Sequence, residues 1–288
     1  MRILILGGDG MLGHQLLIAY QQRHDVRVTL RRDLNDYASY GLFNAENSYT
    51  GIDVRNNDRL VEVFSEFHPE AVINAVGIIK QRAEAIDAIP SLEINALLPH
   101  RLAVLCKATG SRLVQMSTDC VFSGKKGNYI ETDESDAQDL YGKTKYLGEL
   151  HENHCLTLRT SIIGLELSRR KSLVEWFLAQ RGTIKGYKKA IFSGFTTIEL
   201  SRVIEKLLVS HPDASGLYNL ASSSINKYEL LLLLKKKLGL DINIEADDSL
   251  KIDRSLNSMQ FNEKFNYTPP AWEKMIEELA QDIKGRGI

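Results

Sequence analysis

The sequence predicts an α/β protein built on a Rossmann-like doubly wound parallel sheet, with a smaller C-terminal α/β lobe that binds a substrate. From the first residue, short apolar runs alternate with segments of helical period. A glycine-rich turn at residues 7–13 joins the first apolar run to the first helical segment, and the alternation changes after Gly164. Strands that are apolar throughout are buried on both faces, which requires helices on both sides of a parallel sheet.

The elements of the first part follow from this alternation. Short apolar runs bounded by turn residues indicate buried strands, and apolar residues three or four positions apart indicate helices. The predicted strands are 2–6, 26–30, 71–75, 112–117 and 156–160, and the predicted helices are 11–20, 58–67, 90–107 and 140–152.

The later part has a different pattern and no low-complexity linker, so we expect a lobe that packs on the first and forms a cleft with it. We predict a dinucleotide-binding Rossmann domain at 1–163 with about 191–212, and a substrate-binding lobe at 164–190 and 213–288. The predicted elements are helices at 173–180, 197–209, 225–238 and on either side of Pro269 and Pro270, a strand at 217–219, and a loop with Gly182, Gly186 and Gly194.

Composition excludes several classes of protein. Hydrophobic residues make up 43% of the 288 positions, and 36 basic side chains balance 37 acidic ones, which is typical of a globular protein. The net charge of -1 gives no overall attraction to a polyanion, so no nucleic-acid partner is predicted. The leucine run 230–234 is far shorter than the ~20 apolar residues of a membrane span, so no membrane partner is predicted.

Cysteine usage and the N-terminus indicate a cytoplasmic location. The 3 cysteines form no CxxC pair, which fits a reducing compartment. The apolar run 3–6 is too short for the core of a signal peptide. His151, His154 and Cys155 lack a distant second group of ligands, so no metal site is predicted.

The glycine-rich turn predicts dinucleotide binding. Gly7, Gly10 and Gly13 satisfy GxxGxxG between the first strand and the first helix, which opens with Met11 and Leu12. Glycine at these positions allows a tight turn and lets a pyrophosphate approach the backbone amides at the helix N-terminus. The alternative is a turn that only connects strand to helix.

Two arginines indicate which dinucleotide binds. Arg31 and Arg32 directly follow the second predicted strand, and Asp33 comes after them. An arginine at this place accommodates the 2′-phosphate of NADP, whereas an acidic residue accepts the ribose 2′-hydroxyl of NAD. We therefore predict NADPH, with NADH as the alternative if the arginines only face water.

Tyr141 and Lys145 have the spacing YxxxK at the start of a predicted helix, which places both side chains on one face. The strand that ends at Ser117 and Thr118 precedes them, and strand ends of this kind line the ligand crevice of a doubly wound sheet. A lysine ammonium lowers the pKa of a neighbouring phenol and so suits it to donate a proton. The alternative is a surface tyrosine and a capping threonine; Asn95 is either a supporting residue or an exposed amide.

The combined motifs resemble the extended short-chain dehydrogenase/reductase superfamily, and within it the dTDP-4-dehydrorhamnose reductase family. The resemblance covers nearly the whole chain. The motifs that carry it are GGDGMLG at 7–13, VINAVG at 72–77, STDCVFSG at 117–124, YGKTK at 141–145, LRTS at 158–161, FTT at 195–197 and YEL at 228–230.

The resemblance implies a function for several residues. It implies a catalytic triad of Thr118, Tyr141 and Lys145, the last two also touching the cofactor, and adenine contacts from Asp53 and Val54. The implied reaction is hydride transfer to the C4 ketone of a nucleotide-linked 6-deoxy-4-ketohexose, so the expected partner is a nucleotide-diphosphate sugar. The loop implied to lie along the cofactor is Asn74, Ala75, Val76, Gly77 and Ile78.

Two departures from the family pattern concern the substrate side. Cys120 stands where these reductases usually carry tyrosine, and the segment 253–258 differs from the commoner Arg-Pro sequence. Two other functions therefore stay open: a sugar-nucleotide epimerase, and a non-catalytic NADP-binding regulatory subunit of the methionine adenosyltransferase type. A homodimer is also left open.

A basic segment indicates a site for the substrate diphosphate. Residues 168–190 hold seven basic side chains and one acidic side chain in an otherwise neutral protein. Lys185 in this segment and Arg254 are the predicted phosphate-binding residues. The alternative is a solvated charged face.

Overall fold

The computed structural model describes residues 1–79, 87–168 and 170–287. The chain forms two compact units. The first unit contains residues 1–117, 138–158 and 201–217, and the second contains 118–137, 159–200 and 218–288. The sequence-based division into cofactor and substrate domains concerns ligand binding, and it stays a prediction.

A seven-stranded sheet confirms the predicted α/β fold. Its strand order is β11-β6-β5-β4-β1-β2-β3, and the pairs β1–β2, β1–β4, β2–β3 and β4–β5 are parallel. The strands of this sheet are β1 Arg2–Leu6, β2 Asp25–Thr29, β3 Ser48–Tyr49, β4 Ala71–Asn74, β5 Arg112–Thr118, β6 Cys155–Thr160 and β11 Gly216–Asn219.

The central strands are buried on both faces, as their continuous apolar sequences predict. Successive side chains of a strand point to opposite faces, and yet the four side chains from Ile3 to Leu6 are all fully buried. Val72 and Ile73 on the neighbouring β4 are fully buried as well. The order of the strands reverses at β1, so the chain leaves β1 and β4 toward opposite sides, which opens a crevice at their carboxyl ends.

Ten helices lie within the described residues. Helix α5 ends five residues earlier than the predicted helix 140–152, because Gly148 packs against the carbonyl oxygen of Asn95 so closely that a side chain there would collide with it. The helices are α1 Met11–Tyr20, α2 Asn57–Phe67, α3 Ala88–Ser91, α4 Leu98–Thr109, α5 Leu140–Leu147, α6 Leu173–Leu178, α7 Thr197–Ser210, α8 Lys227–Leu238, α9 Met259–Phe265 and α10 Trp272–Gly285.

Small sheets occupy the later part of the chain. The prediction of a loop around Gly186 is wrong. Gly186 lies in a strand that pairs in parallel with a segment about 60 residues later in the chain, and no local sequence pattern reveals this partner. The remaining strands are β7 Ile162–Ile163, β8 Thr183–Tyr187, β9 Ala190–Phe192, β10 Phe195–Thr196, β12 Ile225–Asn226, β13 Asn243–Asp247 and β14 Ile252–Asp253. They pair as β10-β7, β12-β9-β14 and β13-β8.

Asn95 lies in a π-helical segment, Leu92–Leu97, that joins α3 to α4. Its side chain is only 1% exposed, so the expectation of a plain surface amide is wrong. The amide oxygen accepts a hydrogen bond from Ile78 N at 2.9 Å, and the amide nitrogen donates to Ile78 O at 2.9 Å and to Thr144 Oγ1 at 3.3 Å. One side chain therefore holds the loop after β4 and helix α5 together.

Replacement of this amide should destabilise the protein. Asn95→Ala leaves the buried N–H and C=O groups of Ile78 without their partners, so we expect the free energy of unfolding to fall by about 1–3 kcal/mol. Urea titration measures it, with the exposed residue Asn153 changed to alanine as the control. An Asn95→Ala protein as stable as the Asn153→Ala protein would contradict the role assigned to the amide.

Candidate active site

The glycine-rich turn has the geometry of a phosphate cradle. Gly10 N donates to Gly7 O at 3.0 Å, and Gly10 is the residue before α1, where it has no side chain to cap the amides of the first helical turn. A side chain at Gly13 would collide with Gly7 O. The turn therefore keeps backbone N–H groups and the positive end of the α1 dipole accessible to an anion.

The loop after β4 lies beside this turn. A side chain at Gly7 would come within 2.9 Å of Val76 Cγ2, so the two segments are in close contact. Asn74 is 1% exposed; its amide donates to Gln115 Oε1 at 2.8 Å, and its oxygen accepts from Val76 N at 3.2 Å. These bonds and those of Asn95 to Ile78 fix both ends of the segment Asn74–Ile78, whose middle residues Ala75, Val76 and Gly77 are half-buried.

Arg31 and Arg32 are exposed at the end of β2. The backbone N–H of Arg32 donates to Tyr37 Oη at 3.4 Å, and this hydroxyl donates to Asp9 Oδ2 at 3.4 Å. Burial raises the pKa of Tyr37, and the negative charge of Asp9 raises it further. The Tyr37 hydroxyl thus links Asp9 of the glycine turn to the backbone of Arg32, a connection that the sequence analysis missed.

Asp53 lies close enough to Arg31 to interact with its charge. Its carboxylate accepts hydrogen bonds from Arg55 Nε at 3.0 Å and Arg55 NH2 at 2.5 Å, and these bonds hold the pKa of Asp53 at about 2. The positive charge of Arg31 also lowers this pKa. Asp53 is therefore an anion beside Arg31, while its neighbour Val54 is 7% exposed and belongs to the core of the first unit.

Tyr141 is half-buried in the first turn of α5. Asp139 caps this helix, because its Oδ1 accepts from Gly142 N at 2.9 Å. A four-residue separation places Tyr141 and Lys145 on one side of the helix, as the sequence predicts.

Lys145 is buried at the carboxyl end of β5. Its Nζ donates to Met116 O at 2.5 Å, and the residue as a whole is only 6% exposed. Burial lowers the pKa of Lys145 to about 8, and the negative charge of Glu149 acts in the opposite direction. The lysine therefore carries an ammonium group that is charged below about pH 8 and fixed in direction by a backbone carbonyl.

Thr118 is the last residue of β5 and belongs to the second unit. Its hydroxyl accepts from Cys120 N at 3.1 Å and donates to Asp119 Oδ1 at 3.2 Å. The capping role that the sequence left open is thus present. With both bonds made, the hydroxyl oxygen still has one lone pair that can accept a hydrogen bond from a further donor. If the hydroxyl rotates away from Asp119, it can donate its hydrogen to a substrate carbonyl instead.

Arg254 follows β14 in the second unit and is anchored to the segment after Thr118. Its Nε donates to Phe122 O at 2.8 Å, and its backbone N donates to Ile191 O at 3.0 Å. A side chain at Gly124 would come within 3.1 Å of Arg254 Cγ. The guanidinium is therefore held beside the turn 119–124 rather than free in solvent.

Lys185 is in a different environment. It lies in β8 of the two-stranded sheet, its Nζ is 3.3 Å from Asp247 Oδ2, and its side chain is 70% exposed. Lys189 pairs with Asp248 in the same way at 3.8 Å. The acidic residues of β13 and the turn after it thus neutralise part of the basic segment. Lys185 and Arg254 belong to different sheets, because β8 pairs with β13, whereas β14, which precedes Arg254, pairs with β9.

Two features that would indicate a metal centre or a membrane span are absent from the described residues. Across 1–79, 87–168 and 170–287, no group of three or more His, Cys, Asp or Glu side chains is arranged to hold a metal ion. In the same ranges, no helix has both the length and the apolar sequence that a bilayer crossing requires.

Solved structures share the fold. The crystal structure of dTDP-4-dehydrorhamnose reductase from Bacillus anthracis in complex with NADP superimposes with a TM-score of 0.78 at 22% identity, and covers 98% of this chain and 99% of that one. At this level of identity, the similarity shows the fold.

Sequence comparison identifies the family. A dTDP-4-dehydrorhamnose reductase from Aggregatibacter actinomycetemcomitans is 26% identical over 228 residues, which cover 76% of this chain and 72% of that protein. Methionine adenosyltransferase 2 subunit beta from Mus musculus is 26% identical over 152 residues, which cover 51% of this chain and 41% of that protein. The family model described as RmlD substrate binding domain matches residues 1–284. Because this match spans nearly the whole chain, the protein belongs to the RmlD substrate-binding domain family.

Proposed function

We propose that the protein is an NADPH-dependent reductase that converts the C4 ketone of a nucleotide-linked 6-deoxy-4-ketohexose into an alcohol. The observation that carries the proposal is the pair formed by Tyr141 and the buried Lys145 at the carboxyl end of β5. Similarity to proteins named dTDP-4-dehydrorhamnose reductase supports it, since the chain is 26% identical over 228 residues to one of them and has Thr118, Tyr141 and Lys145 where the family pattern implies a catalytic triad.

The residues of the first unit fit the cofactor. The cradle of Gly7, Gly10 and Gly13 with the amides of Met11 and Leu12 suits a pyrophosphate, because the turn packs too closely for side chains at Gly7 and Gly13 and no side chain of Gly10 caps the amides at the start of α1. We assign Arg31 and Arg32 to the 2′-phosphate, Asp53 and Val54 to the adenine, and the segment Asn74–Ile78 to the nicotinamide half. When bound, NADPH supplies the hydride.

The catalytic residues have separate roles. Tyr141 donates a proton to the ketone oxygen, where negative charge develops during reduction. The ammonium of Lys145 lowers the cost of leaving a phenolate and so makes the tyrosine a stronger acid. Thr118 donates a hydrogen bond to the same oxygen and holds the ketone in the direction of the phenol.

Substrate conversion tests the proposal against the alternatives. Incubation with NADPH and dTDP-4-dehydrorhamnose should consume the cofactor and raise the mass of the sugar nucleotide by two hydrogens. An epimerase would give a product of unchanged mass, and a regulatory subunit would bind NADPH without turnover; either result would contradict the proposal.

We also propose that the protein is cytoplasmic and forms a homodimer. Sedimentation equilibrium tests the homodimer by measuring the mass of the assembly.

Loss of the tyrosine hydroxyl should abolish most of the activity. Tyr141→Phe removes the proton donor without changing the ring, so turnover should fall about 10²-fold or more while the Kd for NADPH stays nearly the same. Tyr146→Phe on the exposed side of the same helix is the matched control. Normal turnover in a folded Tyr141→Phe protein would remove this tyrosine from the reaction.

Cofactor preference should depend on the arginine pair. Arg31→Asp combined with Arg32→Ala removes two positive charges from the 2′-phosphate site, so the ratio of kcat/KM for NADPH to kcat/KM for NADH should fall about tenfold or more. Arg59→Ala, an exposed change on α2, serves as the control. An unchanged ratio would place the 2′-phosphate elsewhere, and a wild type that prefers NADH would contradict the choice of cofactor.

The two predicted phosphate-binding residues should differ in effect. Arg254→Ala should raise KM for the sugar nucleotide about tenfold with a smaller change in kcat, because a charge-assisted contact with a phosphate is worth about 1.5–3 kcal/mol. Lys185→Ala should raise KM less, because Asp247 already pairs with this lysine. Equal KM values for wild type and both variants at low salt would show that neither residue binds the diphosphate.

A further inference from the structure

Glu149 is a buried carboxylate that the proposed catalytic residues do not include. It lies four residues after Lys145, just beyond the end of α5, and is 6% exposed, like Lys145 itself. An ionised group at such a position is costly unless a partner charge or hydrogen bonds compensate it. Two oppositely charged groups buried one helical turn apart therefore call for a joint explanation.

Two consecutive residues of β5 hold these groups. Ser117 Oγ donates a hydrogen bond to Glu149 Oε1 at 2.6 Å, and Met116 O accepts from Lys145 Nζ at 2.5 Å. Both bonds lie at the carboxyl end of the strand, immediately before Thr118. The strand thus fixes the carboxylate and the ammonium separately, so neither is free to turn toward solvent.

The chain after α5 is shaped to bring Glu149 inside. The helix stops at Leu147, and the next residue is the glycine that packs against Asn95 O. Glu149 N donates to Tyr146 O at 3.1 Å, so the chain makes one more turn before it leaves the helix. This turn places the Glu149 carboxylate against β5, whereas Glu152, three residues later, is exposed.

The charge of Glu149 acts on Lys145 against the effect of burial. Burial favours the neutral amine and lowers the pKa of Lys145 to about 8, whereas the carboxylate favours the ammonium.

Other charged groups lie on the elements around Lys145. Glu93, on the π-helical segment that packs against α5, lies 3.7 Å from Arg55. Arg112, at the other end of β5, donates to Leu207 O and Ala214 O. The other ionisable groups on α5 are Tyr141, Lys143 and Tyr146, with Asp139 at the N-cap of α5 and Asp87 at the N-cap of α3.

We propose that Glu149 is a positioning residue for the reaction, whose carboxylate, held by Ser117, keeps the buried Lys145 protonated at the pH at which Tyr141 donates its proton. The inference rests on the proposed reductase function, because it acts through the tyrosine. The proposed effect is electrostatic. Without the Glu149 carboxylate, Lys145 loses its proton at lower pH, and the Tyr141 phenol then lacks the neighbouring positive charge that makes it more acidic.

The direct test follows the charge of Lys145 and needs no substrate. NMR of protein labelled at lysine Cε, with Lys145→Met for assignment, gives the pKa of Lys145 in wild type and in Glu149→Gln. An opposite charge within about 4–6 Å shifts a pKa by about 1–3 units, so we expect a decrease of about one unit or more in the variant. Glu152→Gln removes the same charge from the exposed end of the segment and should leave the pKa unchanged.

Activity provides the second readout. As pH rises through the pKa of Lys145, the ammonium is lost, so kcat should fall; in Glu149→Gln this fall should begin at least about one pH unit lower. Glu149→Asp, which keeps the charge, should restore the wild-type profile in large part. A uniformly lower kcat with an unshifted profile would show a merely structural role and would overturn the proposal.

The outcomes separate this inference from the proposed function. If wild type does not reduce the sugar nucleotide, the proposed function fails, while the NMR titration still decides whether Glu149 controls the charge of Lys145. If Glu149→Gln does not fold, wild type labelled at glutamate Cδ replaces it: the Glu149 signal should move at the pH at which Lys145 titrates. A Glu149 chemical shift that does not change as Lys145 titrates, or equal Lys145 pKa values in wild type and Glu149→Gln, would overturn the proposal.

Discussion

The hydrogen bond from the Lys145 ammonium to the carbonyl oxygen of Met116 is the interaction on which the arrangement of the site depends. A charged amine leaves water only where other groups replace its solvation, and here a strand carbonyl and the charge of Glu149 do so. To reach that carbonyl, α5 has to lie close to the end of β5. Gly148 permits a second close approach, of the end of α5 to the π-helical segment Leu92–Leu97, because a side chain there would collide with the Asn95 carbonyl oxygen.

Asn95 extends the same constraint to the loop after β4. Its side chain bonds both backbone groups of Ile78 and reaches Thr144 on α5, so the helix that carries Tyr141 and the loop beside the glycine turn share one anchor. The extra residue of a π-helical turn changes the direction of the side chains that follow it, and such turns are frequent at functional sites. In this protein the turn carries Asn95, whose amide is buried in the core.

The sequence was sufficient for the central strands of the first unit, because fully buried parallel strands are continuous apolar runs such as Ile3–Leu6, but it missed the two-residue edge strand β3. It was also sufficient for the glycine turn and for the placement of Tyr141 and Lys145 on one side of α5, which depend on spacing within one element. It was not sufficient where a partner distant in sequence decides. Gly186 lies in a strand because of Asn243–Asp247, and Glu149 is buried because of Ser117. The contact of Asp9 with Tyr37 likewise depends on a turn of the chain after β2.

In the proposed reaction, the first unit holds a nicotinamide whose hydride is delivered to a sugar ketone as Tyr141 supplies the proton. Deuterium transfer tests it most directly. Wild-type protein incubated with NADPH deuterated at nicotinamide C4, in separate reactions for the two faces of the ring, and with dTDP-4-dehydrorhamnose should yield a sugar nucleotide with one deuterium at C4 from one face only, as seen by NMR and mass spectrometry. A product without deuterium from either labelled cofactor, or an unreacted ketone, would contradict the account.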